Sequence, residues 1–441
     1  MSRQVATAAA ATPPQLQRSR RPRRLDWALI ITFCFSLLSL CYLEPLARNS
    51  VPNHNSEFDL PRTKNDYQSS KALSSKVTSL RGGDLSNEED HKESKVPDSF
   101  HAGLLVKNPN TSDTSPTCTA EQRSSIARQL LLIEDEDIQN TDSKKIHSFD
   151  KLNSFFKCPI PTWIQNFYAE ETNIGSSDFL GISVGCNKGH DAIRTARMGL
   201  SDPSIDPLKW RDEFNTQARA ACSQDVTDVI DLNPMSPRRK GEMHCIEPMT
   251  STFSELERVS ENLDLTSKGM VFTRAAISSA SGTILFPNAR VGVERFGIAN
   301  CNSHHKSNCV EVPKFSLEDY VAKYVKGKGP INILQVDVEG FDFDVLFGAG
   351  SVLDSTHYIE FEYHKRGNWA NLHLQDAVRL LDGKGFTCYW AGEKRLWRIS
   401  GCYFEHYNYF HNWSNVACVH RSQEKLHGRM EKMFTDLLEE W

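Results

Sequence analysis

Short apolar runs recur between residues 179 and 419, and segments with helical periodicity separate them. The apolar runs predict buried strands at 179–184, 243–246, 270–277, 331–336, 358–363, 386–391 and 416–419. The periodic segments predict helices at 121–134, 148–156, 190–198, 250–263, 341–347 and 372–381. Strands that alternate with helices indicate a doubly wound, mostly parallel α/β sheet that is covered on both faces. In such sheets ligands bind at the carboxyl ends of the strands.

Two segments depart from this alternation. Residues 199–240 carry four prolines, at positions 203, 207, 234 and 237, and we interpret this stretch as an insertion. Residues 423–441 repeat large apolar side chains every three or four positions, which predicts an amphipathic C-terminal helix. Packing against the core is the expected role of that apolar face.

The first 117 residues lack the alternation. Residues 1–24 contain six arginines and no acid, and residues 27–43 form an uncharged apolar run. The positive-inside rule then predicts a cytosolic tail at 1–26 and a transmembrane signal anchor at 27–43. Residues 44–117 are polar and poor in aromatic side chains, as expected of a disordered stalk. A cleaved signal peptide and an organelle transit peptide stay open as alternatives.

This layout predicts a single-pass type II membrane protein of the Golgi apparatus or endoplasmic reticulum, with its catalytic domain in the lumen. Ten cysteines follow the anchor, so disulfides are possible there. Within the loop 301–309 a disulfide between Cys301 and Cys309 is favoured over a metal site. The sequons at Asn110 and Asn412 are candidate glycosylation sites. With 51 Lys and Arg against 56 Asp and Glu, binding of nucleic acid through bulk positive charge is not expected.

The first candidate for chemistry is the turn SVGCNKG at 183–189, between an apolar strand and a predicted helix. Glycine permits a positive φ and lets a ligand approach the backbone, and a helix N-terminus presents free N–H groups. The second candidate is Glu247 in HCIEP, at the end of the next strand. An acid at that place in a nucleoside-binding sheet accepts hydrogen bonds from ribose hydroxyls.

Two further strands end in acids. Asp337 and Glu339 follow the apolar strand 331–336, and Glu360 and Glu362 share one face of strand 358–363, with His364 at its tip. Side chains at these strand ends point into a ligand cleft, where they can bind a cofactor or a metal or accept a proton. Asp342 and Asp344 complement the N-terminus of the helix that follows.

Taken together, these motifs resemble the FkbM-type S-adenosylmethionine-dependent methyltransferases. The resemblance covers roughly residues 179–421 and is carried, in order, by ISVGCNKG, CIEP, AAISSASGT, SLEDY and ILQVDVEGFDFDVLFGA. It implies a class I fold, a seven-stranded Rossmann-like methyltransferase sheet whose last strand is antiparallel. The methyltransferase domain would cover 178–422, after a helical lead-in at 118–177.

The resemblance also implies which residues hold S-adenosyl-L-methionine. The expected cofactor-binding positions are Ser183, Gly185, Cys186, Asn187, Gly189, Glu247, Ala275 and Ala276. Gly185, Asn187 and Gly189 would cradle the methionine part, Glu247 the ribose, and the two alanines would lie near the adenine. The expected catalytic positions are Asp337, Glu339, Glu362 and His364. The sequence departs from the family at Ser183, where an Asp is usual, and at Gln335, where a Lys is usual.

The implied function is methyl transfer to a hydroxyl on a glycan or another small-molecule product of the secretory pathway, without a metal. One alternative is a type II Golgi glycosyltransferase, because Asp342-Phe343-Asp344 matches a D-x-D metal motif. Another is a catalytically inactive module that keeps the methyltransferase fold. The sequence leaves the oligomeric state open.

Overall fold

The structure, a computed structural model, describes 117–139, 161–170, 178–214, 237–294, 308–325, 329–392, 394–403 and 414–439, together with 159, 232, 296–298, 301 and 407. The predicted tail, anchor and stalk, the helix at 148–156 and both sequons lie outside the described residues. Within the part that is described, no helix is long and apolar enough to cross a membrane.

Strands and helices alternate through most of the described chain. The strands are β1 (Phe179–Val184), β2 (Gly241–Ile246), β3 (Met270–Thr273), β4 (Ala276–Ser278), β5 (Gly282–Pro287), β6 (Cys309–Ser316), β7 (Ile333–Val336), β8 (Tyr358–Tyr363), β9 (Phe386–Ala391), β10 (Leu396–Arg398) and β11 (Ser414–His420). The helices are α1 (Ala120–Gln139), α2 (Thr162–Glu170), α3 (His190–Gly199), α4 (Pro207–Glu213), α5 (Thr250–Asn262), α6 (Leu317–Tyr324), α7 (Asp342–Phe347), α8 (Leu374–Gly383) and α9 (Glu424–Glu439).

Eight strands form one mixed sheet in the order β10–β9–β11–β8–β7–β1–β2–β3. Five neighbouring strands of this sheet are parallel, namely β3, β2, β1, β7 and β8. Strand β11 runs antiparallel to both of its neighbours, β8 and β9. The predicted α/β architecture is therefore confirmed. The predicted number of seven strands is wrong, because the three-residue strand β10 adds an antiparallel edge beside β9.

A second, three-stranded sheet has the order β4–β6–β5. The single strand predicted at 270–277 is wrong, because the chain leaves the large sheet after Thr273 and joins the small one at Ala276. One apolar run thus contributes a strand to each of the two sheets. The interruption between the two strands, at 274–275, cannot be recognised from hydrophobic periodicity alone. Strands β5 and β6 and helix α6 were also not predicted.

The core fills the space between the large sheet and its helices. Strands β1 and β9 are buried at every position, as their unbroken apolar sequences predict. Five tryptophans are fully buried: Trp163, Trp210, Trp369, Trp390 and Trp397. Each such side chain removes a large apolar area from water, worth on the order of 3 kcal/mol. The C-terminal helix α9 buries Leu426, Met430 and Leu437, which confirms its predicted amphipathic role.

Disulfides join distant parts of the described chain. Cys301 is bonded to Cys309, as the spacing favoured. The other pairs among the described residues are Cys118–Cys402, Cys186–Cys245 and Cys388–Cys418. The last pair bridges β9 and β11 at directly opposed positions of their ladder.

Candidate active site

A cavity of about 590 Å³ lies at the carboxyl ends of β1, β2, β7 and β8. Its size falls within the range of small-molecule and cofactor sites. Of the residues predicted for the site, the cavity is lined by Ser183, Gly185, Cys186, Asn187, Glu247, Ala275, Ala276, Asp337, Glu339, Glu362 and His364. Residues from five separate segments of the chain are therefore brought together as predicted.

Gly189 is the exception, because it does not line the cavity. Its φ of 75° turns the chain into α3, and a Cβ there would lie 2.9 Å from Cζ2 of the buried Trp210. Trp210 belongs to α4, inside the predicted insertion, and its Nε1 donates to the carbonyl of Lys188 at 2.8 Å. The predicted contact between Gly189 and the cofactor is thus corrected to a role in shaping the turn.

Gly185 is required where the turn approaches β7. Its φ is 76°, and a Cβ at this position would collide with the carbonyl oxygen of Asp337. The backbone N–H groups of Gly185 and Cys186 donate to the carbonyl of Ile246 at 2.9 and 3.1 Å. The turn therefore contacts the ends of both neighbouring strands.

Cys186 lines the cavity, but its sulfur is bonded to Cys245 of β2. The side chain is therefore not a free thiol, and the predicted contact between Cys186 and a cofactor stays a prediction that concerns its backbone and the disulfide. Its disulfide fixes the turn after β1 against β2. Cysteine spacing could not identify this pair, because 58 residues separate the two partners.

Glu247 lies at the end of β2 and is 5% exposed. Its Oε2 accepts the N–H of Asn187 at 2.9 Å, and its Oε1 accepts the N–H of Met249 at 2.8 Å. Burial raises the pKa of Glu247 to about 7, although both backbone donors lower it. Each carboxylate oxygen has a second lone pair, so the group can still accept a hydroxyl from a ligand.

The alanines form an apolar wall of the cavity. Ala276 packs in a small buried cluster with Met249, Phe286 and Val312, and Ala275 belongs to the main core. Small side chains backed by Phe286 leave a flat apolar surface beside Glu247. A purine ring next to a ribose requires a surface of this kind.

The carboxyl groups of Asp337 and Glu362 lie close together at the ends of β7 and β8, and both line the cavity. Asp337 is exposed toward the cavity, whereas Glu362 is buried, with 6% of its surface exposed. Burial raises the pKa of Glu362 well above its usual range, and the charges of neighbouring carboxylates raise the pKa of both groups. Two carboxyl groups in contact must share a proton, so this pair can accept or release one.

Glu339 follows on the cavity rim with a φ of 56°, which is rare for a residue other than glycine. Its Oε2 lies 2.9 Å from Nη1 of Arg366. Burial raises the pKa of Glu339, while the Arg366 guanidinium lowers it. Gly340 comes next, with a φ of 94° and with no room for a Cβ against the Arg366 carbonyl. The D-V-E-G turn is thus packed tightly against the segment after β8.

His364 is buried beside Glu362. Its Nδ1 accepts the backbone N–H of Arg366 at 3.0 Å, and its Nε2 lies 3.0 Å from Oε2 of Glu362. An accepting Nδ1 assigns the proton of the neutral ring to Nε2, which lies near Glu362 but makes no hydrogen bond to it. Burial lowers the pKa of His364 to about 4. The geometry therefore favours Asp337 or Glu362 over His364 as the proton acceptor.

Sequence reasoning missed the wall of the cavity at 290–294 and 296–298. The side chain of Asn187 donates to the carbonyl of Val293 at 3.2 Å, and the buried Lys188 pairs with Glu294. This segment follows β5 and has no periodic pattern. The signal in the sequence is a set of three charged residues, Arg290, Glu294 and Arg295, among apolar ones.

The D-x-D motif is not open to a metal ion. Asp342 is fully buried, and its Oδ1 accepts the N–H of Glu362 at 3.3 Å. Asp344 accepts a hydrogen bond from the side chain of Asn368. Throughout the described ranges, no group of three or more His, Cys, Asp or Glu side chains is arranged to hold a metal.

An acid after β2, an apolar wall beside it and a carboxyl pair at the neighbouring strand ends line one cavity, at the place where α/β sheets bind their ligands. The family profile of the methyltransferase FkbM domain matches residues 210–388. Residues 210–388 of this chain are therefore similar to the FkbM methyltransferase domain, and the resemblance seen in its motifs is confirmed. The matched range includes Glu247, both alanines and the four expected catalytic positions, Asp337, Glu339, Glu362 and His364. It begins after the glycine turn at 183–189.

One curated relative is the hexuronic acid methyltransferase AglP of Haloferax volcanii, 27% identical over 161 residues. That alignment covers 36% of this chain and 59% of the relative. A solved structure, the methyltransferase FkbM from Methylobacillus flagellatus KT, is 8% identical with a TM-score of 0.30. The alignment with this structure covers 68% of the present chain and 61% of the solved chain. The chain thus spans about three fifths of the length of either protein.

Proposed function

We propose that this protein is an S-adenosyl-L-methionine-dependent methyltransferase that methylates a hydroxyl group. The observation that carries the proposal is one cavity that joins Glu247, the alanine wall, the turn at Gly185 and the Asp337–Glu362 pair. The first three features fit an adenosine, and the fourth lies where a proton must be removed. The FkbM domain match supports the same reaction.

The charge of the cavity also fits this cofactor. Seven acidic and four basic side chains line it. A surplus of carboxylates in an enclosed space stabilises a bound cation. When bound, the cofactor supplies an electrophilic methyl group on a positively charged sulfur.

The protein's own part in the reaction is to align the acceptor and remove its proton. As the new carbon–oxygen bond forms and the carbon–sulfur bond breaks, the hydroxyl proton passes to the Asp337–Glu362 pair. His364 lies beside Glu362, with its Nε2 3.0 Å from Oε2 of that carboxyl group. General-base assistance of this kind contributes about 10²- to 10⁴-fold to a rate.

We propose a glycan as the acceptor. The named relative acts on a hexuronic acid, which supports a sugar substrate. The arginine-rich N-terminus followed by an apolar run supports a lumenal site in the Golgi apparatus or endoplasmic reticulum, where glycans are assembled. The location remains part of the proposal.

The test is a titration of the full-length protein with S-adenosyl-L-methionine, followed by transfer of a labelled methyl group to a panel of glycans. Asp337→Asn is expected to keep cofactor affinity and to lower kcat about 10²- to 10⁴-fold. His364→Gln is expected to lower kcat less, because it removes only a neighbour of Glu362. Absence of cofactor binding by folded wild-type protein would contradict the proposal.

The inactive module is the second candidate, because Ser183 replaces the usual acid of the family. It predicts that the folded protein fails to bind S-adenosyl-L-methionine and transfers no methyl group to any acceptor in the panel. It also predicts that Asp337→Asn changes no measurable property of the protein other than stability.

A further inference from the structure

Three polar side chains lie side by side on the sheet floor of the cavity. Ser183 of β1 is in register with Gln335 of β7, and Gln335 is in register with Glu360 of β8. Residues paired in this way project from the same face of a sheet, and all three line the cavity. Because adjacent strands are about 4.8 Å apart, Glu360 lies roughly 10 Å from Ser183 across the floor.

Helix α3 supplies the opposite side of this polar region. Its residues Asp191, Arg194, Thr195 and Met198 line the cavity at helical spacing. Arg194 is 9% exposed, with Nη1 3.7 Å from Oδ1 of Asp191. Thr195 donates to Oε1 of Gln335 at 3.3 Å, which joins the helix to the floor. A buried guanidinium and the carboxylate of Glu360 therefore share this part of the cavity.

Glu360 is held by a chain of two hydrogen bonds. Trp163 of α2 donates from Nε1 to the Tyr358 hydroxyl at 3.0 Å, and that hydroxyl donates to Oε2 of Glu360 at 3.1 Å. Within the described residues, the hydrogen bonds to this carboxylate reach only Oε2. The chain fixes the orientation of the group and leaves Oε1 for a ligand.

The cavity's other carboxylates are already engaged. Asp337 and Glu362 lie against each other, and Glu247 accepts two backbone N–H groups. Glu339 pairs with Arg366, Glu294 pairs with Lys188, and Asp191 lies 3.7 Å from Arg194. Ser183 carries no charge. A ligand ammonium on this floor would therefore find its carboxylate partner in Glu360.

We propose that Glu360 and Arg194 bind the amino-acid end of the cofactor. The Glu360 carboxylate accepts hydrogen bonds from the α-ammonium and replaces the acid that is absent at Ser183. The Arg194 guanidinium donates to the α-carboxylate. This inference rests on the proposed function, because it assigns residues to the cofactor named there.

Two ligands that differ only at the amino-acid end test the inference. S-Adenosylhomocysteine carries that end, whereas 5′-methylthioadenosine shares the adenosine and the thioether but lacks it. Calorimetric titration of the full-length protein is expected to show that Glu360→Gln weakens S-adenosylhomocysteine binding roughly 10- to 100-fold. Binding of 5′-methylthioadenosine is expected to change less than about twofold, since its contacts all remain.

Two further variants distinguish a loss of ligand contacts from a folding defect. Arg194→Lys retains the charge but loses the planar guanidinium, so it should weaken S-adenosylhomocysteine and spare 5′-methylthioadenosine. Ser183→Asp in the Glu360→Gln background should restore part of the lost affinity. Glu311→Gln, on the exposed face of β6 outside the cavity, is the matched control with no effect.

The outcomes separate this inference from the proposed function. Equal affinity of wild type and Glu360→Gln for S-adenosylhomocysteine would overturn the inference and leave the methyltransferase proposal standing. Equal weakening of both ligands would also overturn it, because the effect would not arise at the amino-acid end. If folded wild type bound neither ligand, both proposals would fail together.

Discussion

Glu247 accepts the backbone N–H of Asn187 at 2.9 Å, which joins the end of β2 to the turn after β1. The same carboxylate accepts the N–H of Met249 at 2.8 Å, so one buried side chain orients two segments of the cavity wall. A residue assigned to a cofactor thus also organises the protein backbone around the site.

We predict that Glu247→Ala destabilises the fold as well as weakening cofactor binding. The substitution leaves two buried N–H groups without an acceptor, at about 1–3 kcal/mol each. Glu247→Gln keeps one acceptor oxygen and should lose about half as much. Urea unfolding of the three proteins measures the effect. Equal stability of wild type and Glu247→Ala would show that water replaces the carboxylate at no cost.

We predict that the contributions of Glu247 and Glu360 to the free energy of unfolding become less favourable as pH rises from about 4.5 to above 7. Burial raises the pKa of both Glu247 and Glu360 from 4.5 to about 7, so the folded state holds protons that the unfolded state has released. Each group then lowers stability at high pH by about 3 kcal/mol relative to pH 4.5.

Glu360→Gln isolates one of these contributions. Its stability relative to wild type should increase between pH 5.5 and pH 8, because Gln does not ionise. Chemical unfolding at both pH values gives the comparison. Parallel pH profiles for the two proteins would mean that Glu360 titrates as it does in water.

We predict that removal of the Cys186–Cys245 disulfide weakens the cofactor site. Cys186→Ala with Cys245→Ala should lower stability by about 2–4 kcal/mol and also reduce affinity, since the turn loses its covalent link to β2. Cys388→Ala with Cys418→Ala is the control, because that bridge joins β9 to β11 away from the cavity. The control should lose stability without losing affinity. If both pairs leave affinity unchanged, the hydrogen bonds of the turn suffice to fix it.

We predict that Gly185→Ala abolishes cofactor binding. A methyl group there collides with the Asp337 carbonyl, and the φ of 76° is unfavourable for alanine. The matched control is Gly383→Ala at the end of α8, where a Cβ meets no atom within 4 Å. Calorimetry and thermal unfolding should show a large defect for the first variant and almost none for the second. Normal binding by Gly185→Ala would refute the assigned contact between turn and β7.

The sequence predicted those parts of the site that short-range patterns encode. Strands β1 and β7 are mainly apolar, and β8 alternates apolar side chains with two glutamates, so their ends, and the residues Gly185, Asp337 and Glu362, could be located. The α/β alternation predicted that these strands are parallel. Strand β10 escaped prediction because three buried residues at a sheet edge leave no periodic signal.

Other features depend on register and on distant contacts. Glu360 reaches the cavity beside Gln335 and Ser183 only because three strands align, and a sequence does not show that alignment. The proton position on His364 follows from the N–H of Arg366, a tertiary contact within the folded turn. The bond between Cys186 and Cys245 likewise follows from the pairing of β1 with β2.

The Cys118–Cys402 bond has a mechanical consequence. The bond joins the chain just ahead of α1 to the residues after β10, where the Cys118 N–H also donates to the Gly401 carbonyl at 3.0 Å. Tension transmitted along the chain from earlier residues would enter the fold at this edge of the sheet. In the sheet order, β10 is separated from β8 by two strands and from β1 by four. A force applied at Cys118 would thus act on the Cys118–Cys402 bond at the edge of the sheet, and the walls of the cavity would stay unstrained.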